Sequence, residues 1–287
     1  MIQVGPWRRR DRTSKGKREI EGLSMVANLG TIIERSNRIE LEGVDFDSFR
    51  TQPLDPSSLR TLRYMCDVES HTICYLREIL ATTAHQDPDI TAFLACWNYE
   101  EFWHGEVLGR ILELHERPGA ARAARSLRRN RRWLDEVRLL TFNLGSLVAE
   151  EFIAVQMCWG AINELTAQSA NSRLIAKADH PVLTTVLRRI MKQEGRHLDF
   201  YETQAKARLE GNRRAQRLAR FALTRFWAPV GSGVVPDSEV AFMATHLFGD
   251  EEGLEVARRV DRKFARIPGL EGLTLLESAA RKAAGSI

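Results

Sequence analysis

The chain reads as an all-α protein, a bundle of four long helices with additional helices at its N- and C-terminal ends. Three observations predict this. Apolar residues recur at alternating spacings of three and four along four long segments, the stripe of a core-facing helix. Strand-like alternation is scarce. Clusters of Gly and Pro fall between the long periodic segments. The 287 residues are 44% hydrophobic and 28% charged, enough for a substantial core under a solvated surface.

The elements follow in order. Residues 1–22 are basic, with Arg8, Arg9, Arg10, Arg12, Lys15, Lys17 and Arg18, and read as a flexible arm. Residues 23–40 suit a short amphipathic helix. Pro53 and Pro56 mark a loop, after which Asp55 or Ser57 can cap a first long helix over about 57–82. His85, Gln86, Asp87 and Pro88 form a turn, and a second helix covers about 89–116 before Arg117, Pro118 and Gly119 end it. A connecting segment at 120–131 leads to a third long helix over about 133–168. Asp179, His180 and Pro181 start a fourth, which runs to about 210. A further helix fits 212–226. The Gly- and Pro-rich loop from Ala228 to Asp237 sets off three shorter helices near 237–248, 250–265 and 272–284. The implied organisation is a basic arm (1–22), a helical bundle (23–227) and a C-terminal helical extension packed on it (228–287).

Composition narrows the class. No run of about 18 apolar residues occurs, so no membrane span is expected, and no apolar stretch follows the basic N-terminus as a secretory signal would require. Cys66, Cys74, Cys96 and Cys158 are few and widely spaced, without a C-x-x-C pair, which suits free thiols in a reducing, cytoplasmic setting. The net charge of +4 is mild.

The four stripes share an unusual interruption. On the first helix Leu59, Leu62, Cys66, Glu69, Ile73, Leu76 and Leu80 form the stripe, with Glu69 in its middle. The second carries Leu94, Trp97, Glu101, His104, Leu108 and Ile111, and the third Leu144, Val148, Glu151, Val155, Cys158, Ile162 and Leu165. The fourth carries Leu183, Leu187, Ile190, Glu194, His197 and Tyr201. Each helix therefore aims a carboxylate at the core, and two add a histidine three residues on. A buried carboxylate without a partner costs several kcal/mol or takes up a proton, and four together repel. Two divalent cations would neutralise four carboxylates, and oxygen and imidazole donors suit iron or manganese. Glu69 lies thirteen residues before Thr82 and Glu101 thirteen after Pro88, so both stand roughly 20 Å from the turn between their helices. Lys and Arg are missing from these stripes, which argues against ion pairs in place of metal. Glu100, Glu150 and Glu78 are rival acids, but each falls off its stripe.

With these residues in view, the chain resembles the ferritin-like di-iron superfamily and, within it, the soluble acyl-acyl-carrier-protein desaturases. Trp97-Asn98-Tyr99-Glu100-Glu101-Phe102-Trp103-His104-Gly105 is similar to that family's W-x-x-E-E-x-x-H-G, and Glu194-Gly195-Arg196-His197 with Tyr201 to its E-x-R-H-x-x-x-Y. The resemblance covers about residues 57–205. It implies a ferritin-like bundle holding two irons, with manganese as an alternative. Glu101 and Glu194 would bridge the metals, Glu69 and His104 would be terminal ligands of one, and Glu151 and His197 of the other. It further implies O2-dependent desaturation of a long acyl chain held on acyl carrier protein or another acyl carrier, in a homodimer supplied by a ferredoxin-type electron donor. A di-iron hydroxylase or oxidase of another substrate, and a non-catalytic ferritin-like iron-binding protein, are the alternatives.

The sequence departs from the desaturase pattern at three places: Ala154 stands where a Thr is usual, Trp103 where an Arg is usual and Gln193 where an Asp is usual. All three lie beside the expected ligands, where neighbours tune a metal. Tyr201 suits either a core tyrosine or a redox role. Leu108 stands where a ribonucleotide reductase radical subunit would carry its Tyr, which counts against that kinship. The arginines from Arg117 to Arg138 form the densest basic patch outside the arm, suited to an acidic protein partner. Nucleic acid ranks last for want of a recognised motif. His71, His85, His115 (at the end of the second stripe), His180 and His246 are expected at turns or on the surface.

Overall fold

The computed structural model describes residues 29–121 and 151–285. The basic arm at 1–22, the expected helix from 133 to 150 and the arginine patch beyond Arg117 lie outside the described residues.

The chain enters through a short helix at residues 29–35 and an irregular stretch leading to a single turn, Ser48–Thr51. Asp55 then accepts the N–H groups of Ser57 and Ser58, Pro56 occupies the first turn, and helix α1 runs Pro56–Glu69. A side-chain acceptor and a proline at this point satisfy and pre-shape a helix start. The sequence predicts one helix over 57–82, but the structure divides it. α1 stops at Glu69, and α2 resumes at Thr72–Leu80. Between them the bonding tightens, with His71 N–H reaching the Val68 carbonyl and Cys74 N–H the His71 carbonyl. That tightening, a 3₁₀-like adjustment, turns the following stripe outward. Leu62 and Cys66 before the break are fully buried, whereas Ile73 and Leu80 after it are exposed.

A 3₁₀ turn at Thr83–Gln86 leads to α3, Pro88–Leu114, capped by Asp87 on the N–H groups of Asp89 and Ile90. Its C-terminus is closed by Glu116, which adopts φ 57°, and not by Gly119. Glu116 N–H bonds the Glu113 carbonyl and Arg117 N–H the Leu112 carbonyl, the paired bonds of a Schellman end. Helix α4 spans Phe152–Ala178, ten residues past the expected end, and α5 spans Pro181–Leu209. Asp179, at φ 44°, and His180 are the whole connection, so the two helices run antiparallel.

α1 packs on α3 and α4 on α5, and contacts of α1 with α4 and α3 with α5 close the arrangement. The remaining helices are α6 (Arg213–Phe226), α7 (Asp237–Phe248), α8 (Glu251–Phe264) and α9 (Leu275–Ala284). α6, α7 and α8 all lie against α4, while α7 also touches α1 and α9 packs on α7 and α8. This cover explains why α4 buries side chains on more than one face. Among the described residues the structure is helical, and β-type pairing is confined to one isolated bridge, Ser232 to Val235.

Two histidines expected at the surface are interior. His71 and His180 are both buried. His180 stacks on Phe49 at 4.4 Å, donates from Nε2 to the Gln52 carbonyl, and accepts the Leu183 N–H at Nδ1, which caps α5. All four cysteines are free thiols. No helix among the described residues is long and apolar enough to cross a membrane.

Candidate metal centre

Burial on the inward faces of α1, α3, α4 and α5 collects acids and imidazoles where apolar side chains would ordinarily meet. Two overlapping groups result. Glu69, Glu101, His104 and Glu194 each offer an atom within 4.8 Å of the others, and so do Glu101, Glu164, Glu194 and His197. Glu101 and Glu194 belong to both groups, so the whole is a two-centred cluster with shared carboxylates.

Five of the six residues expected from the sequence meet here. Glu151 does not. It is the residue before α4, partly buried, with an oxygen 3.3 Å from Arg214 Nε. Its place in the cluster is taken by Glu164, one long stride further along the same helix. The turn geometry carries a signal for this. Glu164 lies fourteen residues before the end of α4 at Ala178, and Glu194 thirteen after the start of α5 at Pro181, so the two stand at equal height across the connection. The residue three after Glu164 is Ala167, an alanine as Ala154 is three after Glu151. Of the rival acids, Glu100 is buried beside the centre, Glu78 belongs to neither group, and Glu150 lies outside the described residues.

Both imidazoles direct Nδ1 inward. His104 Nδ1 is 3.1 Å from Glu194 Oε1, and 3.8 and 3.9 Å from Glu101 and Glu69. His197 Nδ1 is 3.1 Å from Glu101 Oε1 and 3.4 Å from Glu194 Oε2. The outer nitrogens are both engaged. His104 Nε2 pairs with Gln193 Oε1 at 2.9 Å, and His197 Nε2 with Glu100 Oε2 at 2.7 Å. An outer partner of this kind fixes the ring's orientation, so that the inner nitrogen can serve as a metal donor once its own proton is lost. Glu100 is in turn held by Arg196 Nη2 at 2.7 Å, and Trp97 Nε1 donates to Glu164 Oε1 at 3.1 Å. Tyr201 is buried close by, edge-on to Phe93 and packed against Gly160, where a β-carbon would collide with its ring.

The electrostatics show what the cluster does without cations. Burial, with Glu101 next to it, holds the Glu69 carboxyl well above the usual range, and burial with Glu194 does the same to Glu164. Glu194 sits well below the usual range, because its contacts with Glu164, His104 and His197 outweigh the upward push of burial. For His197, burial pulls downward, and the surrounding Glu100, Glu101 and Glu194 raise it well above an ordinary imidazole. Burial and mutual repulsion thus favour the protonated form of Glu69 and Glu164, while the surrounding acids favour the charged form of His104 and His197.

These residues fit divalent metal. Four carboxylates carry the charge of two such ions, the donors are oxygen and imidazole nitrogen, and His104 Nδ1 is buried in the middle of the acids, 3.1 Å from Glu194 Oε1 but without a well-formed hydrogen bond. Such a nitrogen becomes a metal donor once it gives up its proton. No family model matches the chain, and it has no match among curated proteins or solved structures.

Proposed function

We propose that the chain is a ferritin-like di-iron oxidoreductase that uses O2, and that its substrate is a long acyl chain presented on acyl carrier protein or a similar carrier. The observation that carries the reading is the pair of overlapping four-residue groups sharing Glu101 and Glu194. The two E-x-x-H segments that supply four of the six donors are also the segments that resemble the soluble desaturases. Iron held in the cluster would supply the O2 activation needed to attack an unactivated C–H bond. The chain's own residues have narrower tasks. Glu101 and Glu194, common to both groups, would serve both ions, Glu69 and Glu164 would each serve one, and the fully buried Phe93, edge-on to His197, helps keep water away. A homodimer and a ferredoxin-type donor complete the proposal.

The test is a single turnover. Protein loaded with iron and reduced is mixed with O2 and acyl carrier substrates of several lengths, and the acyl products are weighed by mass spectrometry. Loss of two hydrogens supports desaturation. Gain of one oxygen assigns a hydroxylase. Iron uptake far beyond two ions per chain without turnover assigns storage, and failure to bind iron or manganese at all removes the proposal.

A further inference from the structure

The inner donors of the two groups are matched, each with one carboxylate of its own, the two shared carboxylates and one imidazole. What lies behind them is not matched. His197 Nε2 faces a carboxylate, Glu100, at 2.7 Å, whereas His104 Nε2 faces a neutral amide, Gln193, at 2.9 Å. A hydrogen bond to an ionised acceptor is stronger than one to a neutral acceptor, and it makes the opposite ring nitrogen a better donor. Arg196 tempers Glu100 without removing its negative charge. The unshared acids differ in the same sense. Glu164 is tied by Trp97 in the interior of a continuous helix, while Glu69 is the last residue of α1.

One residue ties both backings together. Asn37, in the irregular stretch after the first short helix, gives its N–H to Glu100 Oε1 at 3.3 Å. Its carbonyl and side-chain oxygen accept Gln193 Nε2 at 2.8 and 3.2 Å. These bonds leave Gln193 its oxygen for His104, so Asn37 sets the amide's orientation.

Resting on the di-metal reading above, we infer that the centre is chemically unequal. The subsite of His197, backed by Glu100, takes a divalent cation more tightly than the subsite of His104, backed by Gln193. Glu100 and Gln193 are the positioning residues that set the difference, and Asn37 orients both.

The experiment is an anaerobic Mn(II) titration of metal-free protein, with free Mn(II) counted by electron paramagnetic resonance. Wild type is expected to bind two ions in two steps, separated on the order of 10- to 100-fold, the usual cost of changing an outer-shell partner. Glu100→Gln gives both histidines an amide backing, so the tighter step weakens and the two steps converge. Gln193→Glu gives both a carboxylate backing, so the weaker step tightens toward the other. The variants change charge in opposite directions, and a folding defect in either leaves the other to decide. Repulsion between two ions in equal subsites would also split the steps, but both variants would then keep the split, and that result overturns the inference. Two ions bound in wild type with equal affinity overturn it while leaving the di-metal reading intact. Binding of no Mn(II) or Fe(II) overturns both.

Discussion

Replacing Glu164 with Gln separates the acid found in the cluster from the acid the stripe pattern favours, Glu151. In the metal-free protein the change should be nearly silent. Burial beside Glu194 pushes the Glu164 carboxyl well above the usual range, toward the neutral form that an amide imitates, so the amide keeps the acceptor for Trp97 Nε1 and a donor toward Glu194, at a cost under about 1 kcal/mol. With metal the effect is large. Free metal at 100 times its Kd stabilises wild type by about 2.7 kcal/mol. Removing a direct ligand should weaken binding by at least the roughly 10- to 100-fold seen for outer-shell partners. That leaves about 1.4 to 0.4 kcal/mol of stabilisation at the same concentration, so the metal-induced rise in Tm should shrink by roughly 3 to 9 °C for a chain of this size. Among the described residues Glu151→Gln loses an ion pair with the exposed Arg214, worth at most about 1 kcal/mol, and the metal-induced rise should stay intact. Differential scanning fluorimetry with and without Mn(II) reads all of this. If Glu151→Gln reduces the rise as much as Glu164→Gln, or if Glu164→Gln leaves it unchanged, the assignment of Glu164 is refuted.

Three other outcomes are expected. Cations must displace the protons held on Glu69 and Glu164, whose carboxyls lie above their ordinary range, so Mn(II) affinity should rise with pH, and calorimetry in buffers of different ionisation enthalpy should show proton release. Gly160→Ala places a methyl against the Tyr201 ring across the α4–α5 contact and should destabilise by about 1 to 3 kcal/mol in urea, despite its better helix propensity. Burial lowers the His180 pKa, so the unfolded chain binds protons first. The stability contributed by the neutral ring is complete above about pH 6.5 and is lost as pH falls through the folded-state value. His180→Asn, which keeps a side-chain oxygen for the N-terminus of α5, should flatten that limb of the urea-midpoint profile.

Much of the helical layout could be read from spacing and capping residues. Asp55, Asp87 and Pro181 mark helix starts within a residue or so, and alternating threes and fours lead directly to Glu69, Glu101, His104, Glu194 and His197. Glu164 escapes this reading because α4 is covered by α5 on one side and by α6, α7 and α8 on others. Several stripes are buried at once, so a stripe through Val155, Cys158, Ile162 and Leu165 does not single out the metal face. Its true end is hidden for a related reason. Residues 168–173 look polar enough for a loop, yet Arg173 is buried, donating to the Leu247 carbonyl and to Asp250 from a distant part of the chain. The break at Ser70 and His71 carries no Gly or Pro to announce it. Glu100 lies off the stripe, yet the outer nitrogen of the buried His197 imidazole finds its partner there, one position from Glu101.

The joint between α1 and α2 gives the centre an uneven mechanical frame. Glu101, His104, Glu164, Glu194 and His197 each ride on helix interiors ten or more residues from the nearest end, whereas Glu69 is the terminal residue of its helix, with the regular ladder giving way just beyond it. Local opening is least costly where regular bonding is already interrupted. The wall carrying Glu69 is therefore the hinged one, and ions should enter and leave the buried core on that side. Faster amide exchange at His71 than at residues in the middle of α3 and α5, slowed when metal is bound, would be the signature of that door.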